Sequence, residues 1–411
     1  MKKKWLTAGI DIGTTKICST IAQIEDERIE ILGTGWSPSH GLRRGMVVNL
    51  SETIESIKSS LEKAEAQSQT IVESAYVSIG GAYIRGINRS GQTEIRGKNG
   101  EVTPEDIDRA VAAAKSFDLH EDYEIIHVLT QHYTLDGQEG ITNPLGMNGR
   151  KLSVHLHVVA NASAVVQNIV SSVNKAGVVV SGVVMQQLAS AEAILDADEK
   201  EMGSIVVDIG GGTTDIAVYA QGGIQYSEVL PLGGNMITRD IAIGLKTPLN
   251  EAENLKKNIG SVYPESIPPE EVIEISEVGT GRRRTVSRHL LCQIIQARCD
   301  EVLKALCKVI RNLGMPPDLM TGLVLTGGGS LLDGFADRAE ECFGMPVRIG
   351  YPINVVSADD EVFHPSYCTG LGLLSYALTV QGTAAAGASA AIARTTPARE
   401  RMKNWLLEKI S

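Results

Sequence analysis

The sequence predicts an α/β protein made of one duplicated domain, with an insertion in each half and an amphipathic helix at the C-terminus. Three observations carry that expectation. The run Leu6-Thr-Ala-Gly-Ile-Asp11-Ile-Gly13-Thr14-Thr15-Lys16 is echoed by Ser204-Ile-Val-Val-Asp208-Ile-Gly210-Gly211-Gly212-Thr213-Thr214-Asp215, which sets Asp11 and Asp208 197 residues apart in a chain of 411. Each copy reads as a buried strand ending in Asp, a Gly/Thr hairpin and a second strand, over 17–24 or 216–220. A third apolar strand, Leu323-Val-Leu-Thr326, breaks into the turn Gly327-Gly328-Gly329-Ser330 before a helix over 333–343. Glycine turns at the carboxyl ends of strands are where open α/β sheets bind ligands.

Between these landmarks the elements follow in order. Ile54, Ile57, Leu61 and Ala64 share one face of a helix over 51–67. Thr103-Pro104-Glu105-Asp106 supplies an N-cap, a proline at the first helical position and early acids, opening a helix through Lys115. Asn161 is read as the cap of a helix that turns Val165, Val166, Ile169, Val170 and Val173 inward and ends at Gly177. A long helix over 286–313 carries a broad apolar face. Residues 84–159 and 242–314 lack the landmarks of the repeat and read as the two insertions. Residues 382–397 are small and aperiodic, the composition of a linker.

Length and composition bound the function. A chain this long holds two to three ordinary domains. Lys and Arg number 38 against 49 Asp and Glu, and a net charge of −11 argues against nucleic acid as the main partner. No stretch reaches the ~18 apolar residues of a spanning helix. Asp11 ends the apolar run after Lys2-Lys3-Lys4 too early for a secretory leader, so the chain reads as cytoplasmic. The six cysteines Cys18, Cys292, Cys299, Cys307, Cys342 and Cys368 contain no CxxC pair and read as reduced core thiols. His155 and His157 share a strand face and read as surface or packing.

The paired turns carry the chemistry. A Gly/Thr hairpin after a buried strand presents consecutive backbone N–H groups without Cβ obstruction, a nest for phosphate oxygens. Two such cradles would clamp one polyphosphate between Gly13, Thr14 and Thr15 on one side and Gly210, Gly211, Gly212, Thr213 and Thr214 on the other. Asp11 and Asp208 are placed to hold hydrated Mg²⁺, and Lys16 to reach a phosphate as a point charge. Neither a Walker A loop nor a GxGxxG fingerprint is present.

Read together, Asp11–Lys16, Gln186-Gln-Leu-Ala-Ser-Ala-Glu-Ala-Ile-Leu195, Asp208–Asp215, Gly327–Ser330 and Tyr367-Cys-Thr-Gly-Leu-Gly-Leu-Leu374 resemble the phosphate 1, connect 1, phosphate 2, adenosine and connect 2 segments of the actin/Hsp70/sugar-kinase ATPase superfamily. Within it, His127-Val-Leu-Thr-Gln131-His-Tyr133 and Asp136 to Gly146 are similar to the FtsA family of bacterial cell-division proteins. The resemblance implies an actin-like, ribonuclease H-like fold. It divides the chain into subdomain 1A over 1–83, 160–200 and 356–381, 1C over 84–159, 2A over 201–241 and 315–355, and 2B over 242–314. It also implies ATP and Mg²⁺ as ligands. Glu253 and Lys256 would contact ribose and adenine, with Gly327, Gly328, Gly329 and Ser330 around the adenosine; on the residues alone, Glu253 and Lys256 read rather as an ion pair on a solvated helix. Gln186 falls where the attacking water is positioned; an amide can orient water but not deprotonate it, so turnover is at most slow and ATP serves chiefly as an assembly ligand.

The resemblance further implies filaments, recruitment of later division proteins through 1C, and binding of the C-terminal peptide of FtsZ at 2B. There Arg282, Arg283, Arg284 and Arg298 would meet its acidic residues, although Arg282–Arg284 also read as a solvated basic loop. At the end of the chain, Met402, Trp405, Leu406 and Ile410, with Leu407 at the edge, form an apolar stripe flanked by Arg399, Arg401, Lys403 and Lys409. Residues 394–411 carry +3 while the remainder carries −14, so a basic helix over 398–411 would hold an acidic body at the anionic cytoplasmic face of the membrane. A terminal helix docked on the body, or one that binds a partner, is the other reading. A PilM-like actin homologue of a pilus machine and a small-molecule kinase of the same superfamily are the rival functions.

Overall fold

The computed structural model describes residues 4–313 and 321–385. Its two main sheets have one topology. In the first, Lys4–Ile12 pairs antiparallel with Lys16–Glu25, which pairs antiparallel with Arg28–Pro38; on its other side it runs parallel to Ser74–Ile79, followed by Val179–Met185. In the second, Ser204–Ile209 pairs antiparallel with Thr214–Ala220 and then Gly223–Leu230, and parallel with Leu323–Thr326 and then Val347–Ile349. Residues 355–356 add an edge strand to the first sheet alone. The central strands are buried on both faces, which is why Ile205, Val206 and Val207 form an unbroken apolar run rather than an alternating one.

Helix Leu50–Ser68 lies directly on the first sheet. A Cβ at Gly35 would stand 2.1 Å from the Ser60 carbonyl oxygen, and one at Gly33 would stand 2.4 Å from that of Ala64, so two strand glycines set the close approach. The buried stripe of this helix therefore includes the small polar residues Thr53, Ser56 and Ser60 beside Ile57, Leu61 and Ala64.

A third, wholly antiparallel sheet orders Arg85–Glu94, Lys151–Ala162, Tyr123–Leu135 and Gln138–Ile141. Helix Pro104–Lys115 covers one face, opened by the expected capping box between Thr103 and Asp106, and a separate apolar core forms beneath it. This sheet is latched to strand Gly223–Leu230 of the second half. His157 Nδ1 lies 2.6 Å from Asn88 Oδ1 and its Nε2 2.8 Å from Ser227 Oγ, while Asn88 Nδ2 donates to the Gln225 carbonyl at 2.9 Å. Burial lowers the His157 imidazole to about 4, so the latch is built on a neutral ring.

In the second half, helices Gly234–Gly244, Leu249–Ile259 and Arg288–Asn312 pack with the hairpin Val272–Ser276/Arg283–Ser287. Cys292, Cys299 and Cys307 all face inward along Arg288–Asn312 as their spacing suggested.

Three expectations are corrected. Asn161 caps no helix: pairing with Glu124 carries the chain extended through Ala162, the helix is Ser163–Lys175 with Ala162 at its cap, and the Asn161 side chain accepts from the Ala162 amide. Cys342 is exposed rather than in the core. Helix Cys368–Ala385 enters the segment read as linker, as alanine favours. The rest of that linker and the tail residues Arg399, Arg401, Met402, Lys403, Trp405, Leu406, Leu407, Lys409 and Ile410 lie outside the described residues. Among the described residues no helix is long and apolar enough to cross a membrane.

Candidate functional site

The two hairpin turns meet face to face between the sheets. Each closes with the same hydrogen bond, Gly13 N to the Lys16 carbonyl and Gly210 N to the Thr213 carbonyl, both 3.0 Å. A Cβ at Gly211 would stand 2.2 Å from Thr15 Cγ2, and one at Gly212 would stand 2.7 Å from Thr14 Oγ1. Glycine is thus required in the second turn because the threonines of the first fill its space. The amides of Thr14, Thr15, Gly211 and Gly212 have no hydrogen-bond acceptor among the described residues, the property a phosphate nest needs.

Asp11 and Asp208 end their strands directly beneath the turns, and both are buried. Asp11 Oδ1 accepts from Ser78 Oγ at 2.8 Å, and that hydroxyl also accepts the Ile12 amide at 2.9 Å. Asp208 Oδ2 accepts from Ser190 Oγ at 2.6 Å and Thr369 Oγ1 at 3.2 Å. Burial raises both carboxyls above the ordinary range despite these bonds and the nearby Lys16 ammonium. Asp215, opposite Asp208 on the ladder, is pushed up to about 8 by burial and then by Asp208; its Oδ2 accepts from Thr213 at 3.0 Å, while its Oδ1 is buried and unpartnered. Asp11 and Asp208 both feel the Lys16 ammonium, and Asp215 lies against Asp208. Among the described residues no three ligating side chains converge into a metal shell, and Asp11 and Asp208 are the carboxylates that could hold a hydrated Mg²⁺.

Lys16 Nζ bonds the Ser366 carbonyl and lies 4.7 Å from the centre of the Tyr367 ring. Gln186, the first residue of helix Gln186–Ile194, places Nε2 3.5 Å from Asp11 Oδ1 and 3.4 Å from Ser78 Oγ. It occupies space opened by Gly80, where a Cβ would stand 1.9 Å from its Oε1. Gly327 takes φ +79°, and a Cβ there would stand 2.2 Å from Asp208 Oδ1, so the third glycine turn closes over that carboxylate. Gly328 is open on its Cα side, and Ser330 Oγ donates to the Gly327 carbonyl at 2.7 Å, capping the turn. Thr214 Oγ1 donates to the Leu232 carbonyl at 2.9 Å.

Glu253 and Lys256 pair with each other at 2.6 Å, and Lys256 Nζ also reaches Thr238 Oγ1 at 3.0 Å and the Gly234 carbonyl at 3.3 Å. Burial pushes the Glu253 carboxyl up, but the bonds from Lys256 and Thr238 outweigh it and hold it below the ordinary range. This pair borders the cradle because the amides of Gly234 and Asn235 donate to the carbonyls of Gly210 and Gly211 at 3.0 and 2.9 Å. Sequence reasoning missed the Gly233-Gly234 loop, Gly80 and Ser78, and gave no role to Ser190, Thr369 and Asp215 although they lie within the runs it singled out. Only the glycine pairs carried a signal, since a serine 67 residues from the aspartate it bonds leaves none.

Three of the four basic candidates are already engaged. Arg298 Nε meets Asp240 and its Nη1 Glu301, both at 2.5 Å. Arg283 pairs with Glu274 at 2.6 Å across the hairpin, Arg284 bonds the Leu245 carbonyl, and the Arg282 side chain is exposed.

A duplicated sheet with paired glycine turns over buried aspartates defines a protein of the actin-like fold. Solved structures agree: the PilM component of a structure described as a PilM–PilN type IV pilus biogenesis complex matches with a TM-score of 0.65 at 18% identity over 89% of this chain and 97% of that one. MreB5 of Spiroplasma citri bound to AMPPNP matches with 0.54 at 13% identity over 93% and 98%. The sequence relatives are nearer. The cell division protein FtsA of Pseudomonas aeruginosa is 38% identical over 98% of this chain and 97% of its own length, and those of Neisseria meningitidis and Escherichia coli K12 are 39% and 34% identical over 91% and 90% of this chain and 90% of their own lengths. The family model for cell division protein FtsA matches residues 205–372, and that for the SHS2 domain inserted in FtsA matches 81–160. The chain belongs to the FtsA family, an actin-like family of cell division proteins, and the pilus alternative is not favoured.

Proposed function

We propose that this protein binds ATP·Mg²⁺ between its two turns, polymerises, and holds the FtsZ ring at the cytoplasmic face of the membrane of the division septum. The observation that carries the nucleotide is the facing of Gly211 and Gly212 with Thr15 and Thr14 over Asp11 and Asp208. Gln186 is the group that orients an attacking water, and because an amide cannot take the proton, turnover is at most slow. We assign subdomains 1A, 1C, 2A and 2B by the boundaries given above. Later division proteins would meet 1C, and the FtsZ C-terminal peptide would meet 2B near Arg282–Arg284 and Arg298. An acidic peptide there competes with Glu274, Asp240 and Glu301 for the same guanidinium groups.

The tail is the membrane anchor. Five apolar side chains at ~1.5–3 kcal/mol each are largely offset by ordering about a dozen residues at ~1–2 kcal/mol each, so one tail binds reversibly and a filament of tails firmly. Sedimentation with vesicles of anionic lipid tests this: wild type should pellet, Trp405→Glu and a 1–393 truncation should stay in the supernatant, and all three should bind ATP alike. Equal pelleting of wild type and Trp405→Glu would contradict the anchor.

A further inference from the structure

We propose that Cys307 and Cys342 form a peroxide-responsive dithiol that closes to a disulfide and pins helix Arg288–Asn312 to helix Phe335–Phe343. The two Sγ atoms stand 3.0 Å apart as thiols, about 1 Å beyond the length of a disulfide bond. The helices are already in register for the bond. Asp300, two turns before Cys307, bonds Arg338, one turn before Cys342, at 3.2 and 3.4 Å, so an ion pair and the thiol pair mark successive points of one seam. Closure brings the two sulfurs about 1 Å nearer across a seam already held by that ion pair.

The two thiols differ in a way that assigns their roles. Cys342 is exposed and open to a small oxidant, whereas Cys307 is nearly buried. Burial, and then the neighbouring sulfur, push the Cys307 thiol up to about 12, which keeps it protonated until its partner is oxidised. In the first step the Cys342 thiolate attacks one peroxide oxygen, the O–O bond breaks, and Cys342 becomes a sulfenic acid as the other oxygen leaves as hydroxide. In the second, Cys307 loses its proton and its sulfur attacks Cys342 Sγ, forming the S–S bond and expelling the sulfenic oxygen as water. Overall two thiols and one peroxide give one disulfide and two waters. Cys18, Cys292, Cys299 and Cys368 are buried, and no other thiol pair is in contact among the described residues.

The bond would close a loop of 34 intervening residues, which constrains the unfolded chain and raises thermal stability. The full-length reduced protein, treated with equimolar hydrogen peroxide and digested without reductant, should yield one peptide pair joined through Cys307 and Cys342. Its melting midpoint should rise by a few degrees and return with dithiothreitol. Cys307→Ser should give no internal link and should leave Cys342 as a sulfenic acid that dimedone traps; Cys342→Ser should leave Cys307 a thiol. Over-oxidation of Cys342, or a Cys342–Cys342 bond between two chains, with Cys307 still free in the wild type would overturn the proposal.

Discussion

The turn Gly13–Lys16 and the turn Gly210–Thr213 share a backbone and a closing hydrogen bond but hold different side chains. The first presents Thr14, Thr15 and Lys16; the second presents two glycines and Thr213, and the threonines of the first occupy the space its missing Cβ atoms leave. On the ladders below, Asp11 faces Cys18 while Asp208 faces Asp215. Bulk and positive charge thus come from one half, room and a second carboxyl from the other. A duplicated frame can divide one site between its copies without either copy being sufficient.

The division between the acids gives the largest expected effect. Asp208→Asn removes a charge that the proposed Mg²⁺ would need and should weaken Mg²⁺-dependent ATP binding by about 100-fold, the scale of a lost charge-assisted contact. Asp215→Asn replaces a carboxyl that is mostly protonated at neutral pH and should change affinity by less than about 3-fold; calorimetric titration at pH 7 compares them. Equal losses would mean that the two acids are not differentiated.

Asp215 also separates the halves by pH. Its folded pKa of about 8 lies above the unfolded value of 3.8, so its contribution to stability is full below the unfolded value and fades as pH rises through the folded one. Between pH 6.5 and 8, where His127 and His157, both lowered to about 4 by burial, stay neutral when folded, wild type should lose roughly 1–2 kcal/mol relative to Asp215→Asn. Denaturant titrations at both pH values check this, and parallel slopes for the two proteins would contradict it.

The smallest effect belongs to the pair bordering the second turn. Lys256→Met breaks its bonds to Glu253, Thr238 and Gly234 and should lower ATP affinity by about 3- to 10-fold with little change in the Mg²⁺ requirement. An unchanged affinity would return the pair to a purely structural role.

Much of the fold was legible because the duplication is written in residues that cannot vary freely. Asp-Ile-Gly after an apolar run marks a strand end and a turn, and the repeat of that pattern implied the equivalence of the two sheets. Thr103 and Asp106 were readable since a capping box is local. Asn161 misled for the complementary reason: an Asn before an apolar helix is also a cap signal, and only the partner strand Tyr123–Leu135 decides that it stays extended. Ser78, which holds Asp11, comes from a distant segment with no signal of its own, and Ser190 and Thr369 lie in the connect 1 and connect 2 runs without spacing to show that they bond Asp208. The ion pairs that occupy Arg283 and Arg298 were hidden in the same way.

Thr15 and Gly211 share a single space, and on our proposal this makes the two turns act as one clamp. A double-mutant cycle on ATP affinity tests it directly. Gly211→Ala should weaken binding by about 10-fold or more, as expected for overpacking of ~1–3 kcal/mol. Thr15→Ala removes the Cγ2 and Oγ1 that the new methyl would strike, leaving Thr15 Cβ 3.1 Å away. Calorimetry on Gly211→Ala/Thr15→Ala should therefore recover most of the affinity lost by Gly211→Ala. Additive losses in the double variant would show that the turns act separately and would contradict the clamp.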